Sequence, residues 1–266
     1  MNSLLSFLPA DPELRAACEA FAIPERVPAS AEEVAFLATG RRTSLTLDRQ
    51  EVAYWTFGDG PRVLLMHGWC SRGSHLAGFV APLLAAGRSV VLFDAPGHGD
   101  SDGAASSMIH AARCALSLAQ AGGGFEALIA HSAGSTAALW ALANGLSVQK
   151  SVHLCGPSSM RQVVTGTARA QGLEQGLALR FEAWVETFTG VDLDSTTLSS
   201  LTANLHHAGL IIHDSSDRVV DLSQSRALQA AWPEARLQVT EGLGHRRILG
   251  DARTIASAVA FLAGEA

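Results

Sequence analysis

Basic clusters are scarce in this chain. No run of arginine or lysine is longer than the pairs Arg41-Arg42 and Arg246-Arg247. Nucleic-acid binding needs an electropositive stripe, so no nucleic-acid partner is expected. Cysteine is scarce too. Cys18, Cys70, Cys114 and Cys155 fall at no spacing that suits a zinc site or a redox pair. Each reads as a small buried residue, and no metal is expected. Long apolar runs are missing: no window approaches the roughly 18–20 apolar residues that span a bilayer. The opening MNSLLSFLPADPELRAA lacks the basic region of a secretory leader, and Pro9 and Pro12 interrupt its apolar patch. These absences predict a cytoplasmic chain with no membrane contact.

Charge itself is sparse, at 17% of 266 residues, against 48% hydrophobic residues. That balance implies a large buried core and argues against disorder. The net charge of −6 says only that the surface is soluble. There is no internal repeat and no low-complexity tract.

Residues 1–42 read as a helical N-terminal extension. PELRAACEAFA and SAEEVAFLATG carry apolar residues at helical spacing, and Ser30 with Glu33 forms a capping box. From Thr43 strands and helices alternate. TSLTLD and EVAYWTF form a hairpin, followed by the strands RVLLMH, SVVLFD, ALIAH, VQKSVHLC, AGLIIHD and RLQVTEG. HLAGFVAPLLAAG, SSMIHAARCALSLAQAG, AGSTAALWALANG and SQSRALQAAW read as helices, as does a segment from about Arg247 to Leu262. This order predicts a doubly wound α/β fold with an eight-stranded, mostly parallel sheet. The strand ending at Cys155 and the strand at Leu210 are too far apart for a simple connection. Residues 157–207 are therefore predicted to form a helical cap inserted after the sixth strand, between core segments 43–156 and 208–266.

Open parallel sheets gather function at the carboxyl ends of their strands. Those positions hold His67-Gly68, Asp94, Ser132, Asp214, Asp217 and Gly244-His245. Ser132 ends an apolar run and opens a helix within Ala130-His131-Ser132-Ala133-Gly134, a turn of small residues that displays a nucleophile. The alternative is a helix N-cap serine. Asp217 or Asp214 supplies a carboxylate; Asp217 fits better because it lies in mid-loop. His245 sits on a glycine-loosened loop and suits a base. The backbone N–H groups of Trp69 and Ala133 are placed to receive an oxyanion. Asp94, His98 and Asp102, in DAPGHGDSDG, read as loop-fixing residues. The glycines there are followed by acids that would repel a phosphate.

With LLMHGW, DAPGHGDSDG, AHSAG, HDSSDRVV and GLGHRRIL, the chain resembles the α/β-hydrolase fold superfamily over about Leu45 to Leu262. The resemblance implies Ser132 as nucleophile, Asp217 as acid, His245 as base, and Trp69 and Ala133 as oxyanion donors. Ala130 replaces the first elbow glycine, and Asp221 stands where many relatives have proline. The implied activity is hydrolysis of a small, largely apolar ester or thioester through an acyl-enzyme, without cofactor. Trp69, His131 and Trp184 are the candidate substrate contacts. A ligand receptor with slow turnover, an acyltransferase and a perhydrolase remain alternatives on the same triad. The expected partner is a small-molecule ester, and the expected state a monomer or homodimer.

Overall fold

A computed structural model describes residues 7–265; the first six residues of the lead-in lie outside it. The eight strands run β1 Arg41–Leu47, β2 Gln50–Phe57, β3 Arg62–Met66, β4 Ser89–Phe93, β5 Ala127–His131, β6 Lys150–Leu154, β7 Ala208–Asp214 and β8 Ala235–Thr240. They form one sheet in the order β1-β2-β4-β3-β5-β6-β7-β8. The β1–β2 and β2–β4 pairs are antiparallel and the remaining pairs are parallel. Asp48 and Arg49, both at positive φ, close the β1–β2 hairpin in two residues, the backbone that such tight hairpins use.

β3, β4 and β5 are buried along almost their whole length, which is why they read as unbroken apolar runs. Alternate side chains serve opposite faces. Leu64 and Met66 join one core with Val91, Phe93 and Leu128, whereas Val63 and Leu65 join another with Val90, Leu92 and Ile129. The chain leaves β3 for β4 on one side and crosses back to β5 on the other. A crevice therefore opens at the carboxyl ends of β3 and β5, where the sheet order switches.

The helices are α1 Pro12–Ala22, α2 Ala31–Leu37, α3 Val80–Ala85, α4 Met108–Gly122, α5 Ala133–Ala143, α6 Met160–Ala170, α7 Gln175–Thr189, α8 Leu198–Thr202, α9 Leu222–Ala231, α10 Gly244–Arg247 and α11 Ala252–Ala263. Ser30 and Glu33 form the reciprocal cap of α2. α6 to α8 fill the insertion between β6 and β7, with no strand among them. Two predicted helices are broken. HLAGFVAPLLAAG is a 3₁₀ turn over Gly73–Phe79 and then α3, because Pro82 has no N–H to continue an upstream helix. The C-terminal segment splits at Asp251, whose carboxylate caps Thr254 at 2.8 Å and starts α11 afresh.

The lead-in is packed into the molecule. Leu14, Ala17, Cys18 and Phe21 of α1 share a core with Val164 of α6 and with Phe181 and Val185 of α7. Arg26 donates to the carbonyls of His98, Gly99, Ser101 and Gly103, fastening the strap after α1 to the loop after β4. Among the described residues no helix is long and apolar enough to cross a membrane.

Candidate active site

Ser132 stands between the last residue of β5 and the first of α5, with φ 54° and ψ −127°. That backbone is strained for a residue with a side chain. It is held by the Ser132 N–H donating to the Leu154 carbonyl at 2.8 Å. Close approach explains the small neighbours. A methyl at Gly134 would lie 2.6 Å from the Met66 carbonyl oxygen, and one at Gly68 would lie 2.8 Å from Ser132 Cβ. Ala130 is fully buried and its methyl is accommodated. The hydroxyl caps no helix N–H; its partner is His245, so the N-cap alternative falls away.

The imidazole of His245 links two residues. Nε2 lies 2.9 Å from Ser132 Oγ, and Nδ1 donates to Asp217 Oδ2 at 2.7 Å. The other oxygen of Asp217 accepts the N–H groups of Val219 and Val220, at 2.7 and 3.0 Å. Burial alone would raise the pKa of this carboxyl, but the hydrogen bonds from His245, Val220 and Val219 outweigh it and hold it below the ordinary carboxylate range.

Asp214, the alternative acid, serves otherwise. Its oxygens accept from the N–H groups of Ser216, Leu243 and Gly244 and from the Thr240 hydroxyl. It fastens the loop that carries His245 and does not face the imidazole. Asp221 takes the place of proline by capping α9 through the Ser223 N–H at 2.8 Å.

Trp69 follows β3 beside Ser132. Among the described residues its backbone N–H and that of Ala133 donate to no acceptor. Both residues border cavities at Ser132. His67 is engaged in the scaffold: Nδ1 donates to the Gly68 carbonyl at 2.7 Å, and Nε2 accepts the Ala95 N–H at 2.9 Å. His131 borders the larger cavity, yet it is only 4% exposed. Its Nε2 donates to the His245 carbonyl at 2.8 Å, and its ring centroid lies 4.8 Å from that of His245. Burial, with the nearby His245, lowers its pKa to about 3 and keeps it neutral. Its Nε2 therefore holds the histidine loop, and the residue borders the cleft. Trp184 is placed differently from expectation. It stacks on Phe188 at 5.0 Å, donates to the Phe7 carbonyl at 2.6 Å, and borders neither cavity at Ser132.

Those cavities differ. An apolar chamber of about 400 Å³ lies beneath α6, bordered by Phe21, Met108, Pro157, Val163 and Thr167. A more polar cleft of about 990 Å³ lies on the imidazole side. Phe21 of the lead-in was not anticipated in the chamber wall, because nothing local in the sequence places α1 against α6.

One group of metal-type donors occurs among the described residues: Cys155, Asp217 and His245, with ligand atoms within 4.8 Å of one another. Burial and the neighbouring Asp217 push the Cys155 thiol up, so it keeps its proton. Asp217 Oδ2 and the His245 imidazole are already engaged with each other in this group.

Among curated proteins none matches the sequence significantly. An esterase from Pyrococcus furiosus has a similar structure at 17% identity, covering 91% of this chain and 96% of its own, with a TM-score of 0.65. An esterase from Rhodococcus sp. is similar at 20% identity, 86% and 100% coverage and TM-score 0.62. A bromoperoxidase from Bacillus anthracis is similar at 16% identity, 84% and 99% coverage and TM-score 0.64. At such identities these likenesses concern the fold alone. The family model described as "Alpha/beta hydrolase family" matches residues 63–258. With that match and this sheet, the chain belongs to the alpha/beta hydrolase family.

Proposed function

We propose that the protein hydrolyses carboxylic esters or thioesters of a small apolar acyl group through a covalent acyl-enzyme on Ser132. The observation that carries this reading is the unbroken chain from Asp217 through His245 to Ser132 Oγ, at 2.7 and 2.9 Å, at the mouth of an apolar chamber.

His245 Nε2 takes the hydroxyl proton as Ser132 Oγ bonds to the acyl carbon. Asp217 fixes the tautomer and stabilises the imidazolium. The negative oxygen of the tetrahedral intermediate is received by the N–H groups of Trp69 and Ala133, each worth about 3–4 kcal/mol of barrier. His245 then passes its proton to the departing oxygen or sulfur as that bond breaks. Water attacks the acyl-enzyme, yields a proton to His245, and releases the acid while Oγ recovers its hydrogen.

A fluorophosphonate probe tests the reading. Labelling of the wild type, its loss in Ser132→Ala, and turnover of nitrophenyl esters by the wild type alone are expected. Persistent labelling of Ser132→Ala would refute the nucleophile. Labelling without turnover would favour the ligand-receptor reading.

A further inference from the structure

The two cavities that meet at Ser132 carry different charge. No charged side chain borders the apolar chamber. On the imidazole side, the 990 Å³ cleft adjoins a second opening of about 430 Å³; they share Val219, His245 and Arg247. Arg246 and Arg247 stand on the wall of the first, Arg218 and Arg247 on the wall of the second. All three arginines are exposed. Among the described residues, every arginine ion pair involves some other arginine. The acidic residue of this wall, Asp251, turns its Oδ2 to the N–H and hydroxyl of Thr254. His75, also on the wall, is bonded to Ser71 and lies 3.4 Å from Glu33. Arg247 donates to the Gly242 carbonyl at 2.9 Å, which leaves Arg246 on the first opening and Arg218 on the adjoining one. In a chain with 25 acidic and 19 basic residues, these arginines outside any ion pair are a local reversal of charge.

We infer that the substrate's leaving group carries an anion, a phosphate or a carboxylate, which Arg218 and Arg246 hold while the apolar acyl group occupies the chamber. The inference rests on the hydrolase reading and adds the substrate class. An anion cannot enter the chamber without losing its hydration to a wall that offers no countercharge. The arginine side offers guanidinium forks suited to phosphate and carboxylate. Because the anion lies beyond the scissile bond, its binding energy positions the acyl carbon without altering the bond-breaking steps.

Three octanoyl thioesters test it: those of coenzyme A, of pantetheine and of 3-mercaptopropionate. The scissile C–S bond and acyl chain are common to all; the leaving group bears phosphates, no charge or a carboxylate. At low salt the wild type should prefer the coenzyme A thioester to the pantetheine thioester by about tenfold in kcat/KM, mainly through KM. The preference should fall toward one in 0.5 M NaCl and in the double variant Arg218→Gln/Arg246→Gln. An equal preference for the 3-mercaptopropionate thioester assigns recognition to anions generally; preference for coenzyme A alone assigns it to phosphate. A low-salt ratio near one, or a ratio untouched by the double variant, overturns the inference and leaves the hydrolase reading standing. Failure to turn over all three thioesters also overturns it, and if the fluorophosphonate then leaves Ser132 unlabelled the hydrolase reading falls as well.

Discussion

Strand β7 ends at an aspartate, and one follows β4 directly; each seals its carboxylate inside the loop beyond. Asp94 accepts the N–H groups of Gly73 and Asp100 at 2.7 and 2.8 Å, with the Arg72 guanidinium 3.7 Å away. Asp214 takes three N–H groups and a hydroxyl. Both are almost wholly buried. Burial raises the pKa of Asp94, and its donors do not overcome it; at Asp214 the donors outweigh burial and the pKa is lowered. The β4 side also holds two buried histidines, His67 accepting the Ala95 N–H and His98 donating to the Pro96 carbonyl. On the β7 side a stable carboxylate network carries Asp217 against His245. The same structural device thus serves a scaffold in which burial disfavours the carboxylate charge on one side and a relay in which donors favour it on the other.

Acid should act through the buried neutral histidines before the carboxylates, with the largest effect on the molecule. Burial lowers the pKa of His67 and His110 from 6.5 to about 4, and that of His98, His131 and His153 to about 3. The unfolded chain binds these protons near pH 6.5 and the folded chain does not. Their contribution is fully present above that pH and declines as pH falls from 6.5 toward the folded values. At pH 5 each histidine costs about 2 kcal/mol, and the five together on the order of 10 kcal/mol. That matches the whole stability of an ordinary domain. Near-ultraviolet circular dichroism should show unfolding with a midpoint near pH 5, while Asp214 and Asp217 are still charged. A midpoint below pH 4 would mean that these histidines do not set the acid limit.

At pH 8 the relay itself can be cut by Asp217→Asn. The Asn oxygen can still accept the Val219 and Val220 N–H groups, so the fold should persist. Its amide nitrogen would face His245 Nδ1 and favour the wrong tautomer. A loss of roughly 10³- to 10⁴-fold in kcat on a nitrophenyl ester is expected, by analogy with serine proteases. A loss under tenfold would show that Asp217 does not orient the imidazole.

The sequence carried the alternation of strands and helices because apolar runs and turn residues are local signals. It also carried Ser132 and His245, since each sits where a strand ends among small residues. Asp217 was separable from Asp214 only by position in the loop. What distinguishes them physically is that Asp214 is filled by donors from the distant Thr240–Gly244 segment. The approach of Arg218 to the Arg246-Arg247 pair was illegible because the first lies in the loop after β7 and the pair in α10. Phe21 and Trp184 exchanged expectations for a similar reason. The packing of α1 against α6 and α7 puts the first beside the chamber and stacks the second on Phe188, and no local pattern encodes that contact.

The smallest effect is the difference between two neutralising substitutions. Asp94→Asn and Asp214→Asn each replace one carboxylate oxygen by an amide that meets a backbone N–H, so both sites suffer one lost acceptor. They differ in what removing the charge does. At Asp94 the charged form is already disfavoured by burial, and its removal offsets part of the lost hydrogen bond. At Asp214 four donors favour the charged form, so its removal adds to the loss. Urea unfolding at pH 7.5 should give about 1 kcal/mol of destabilisation for Asp94→Asn and about 2–3 kcal/mol for Asp214→Asn. If Asp94→Asn proved the costlier, burial would not disfavour the Asp94 charge more than that of Asp214, and the contrast between the two carboxylates would have to be abandoned.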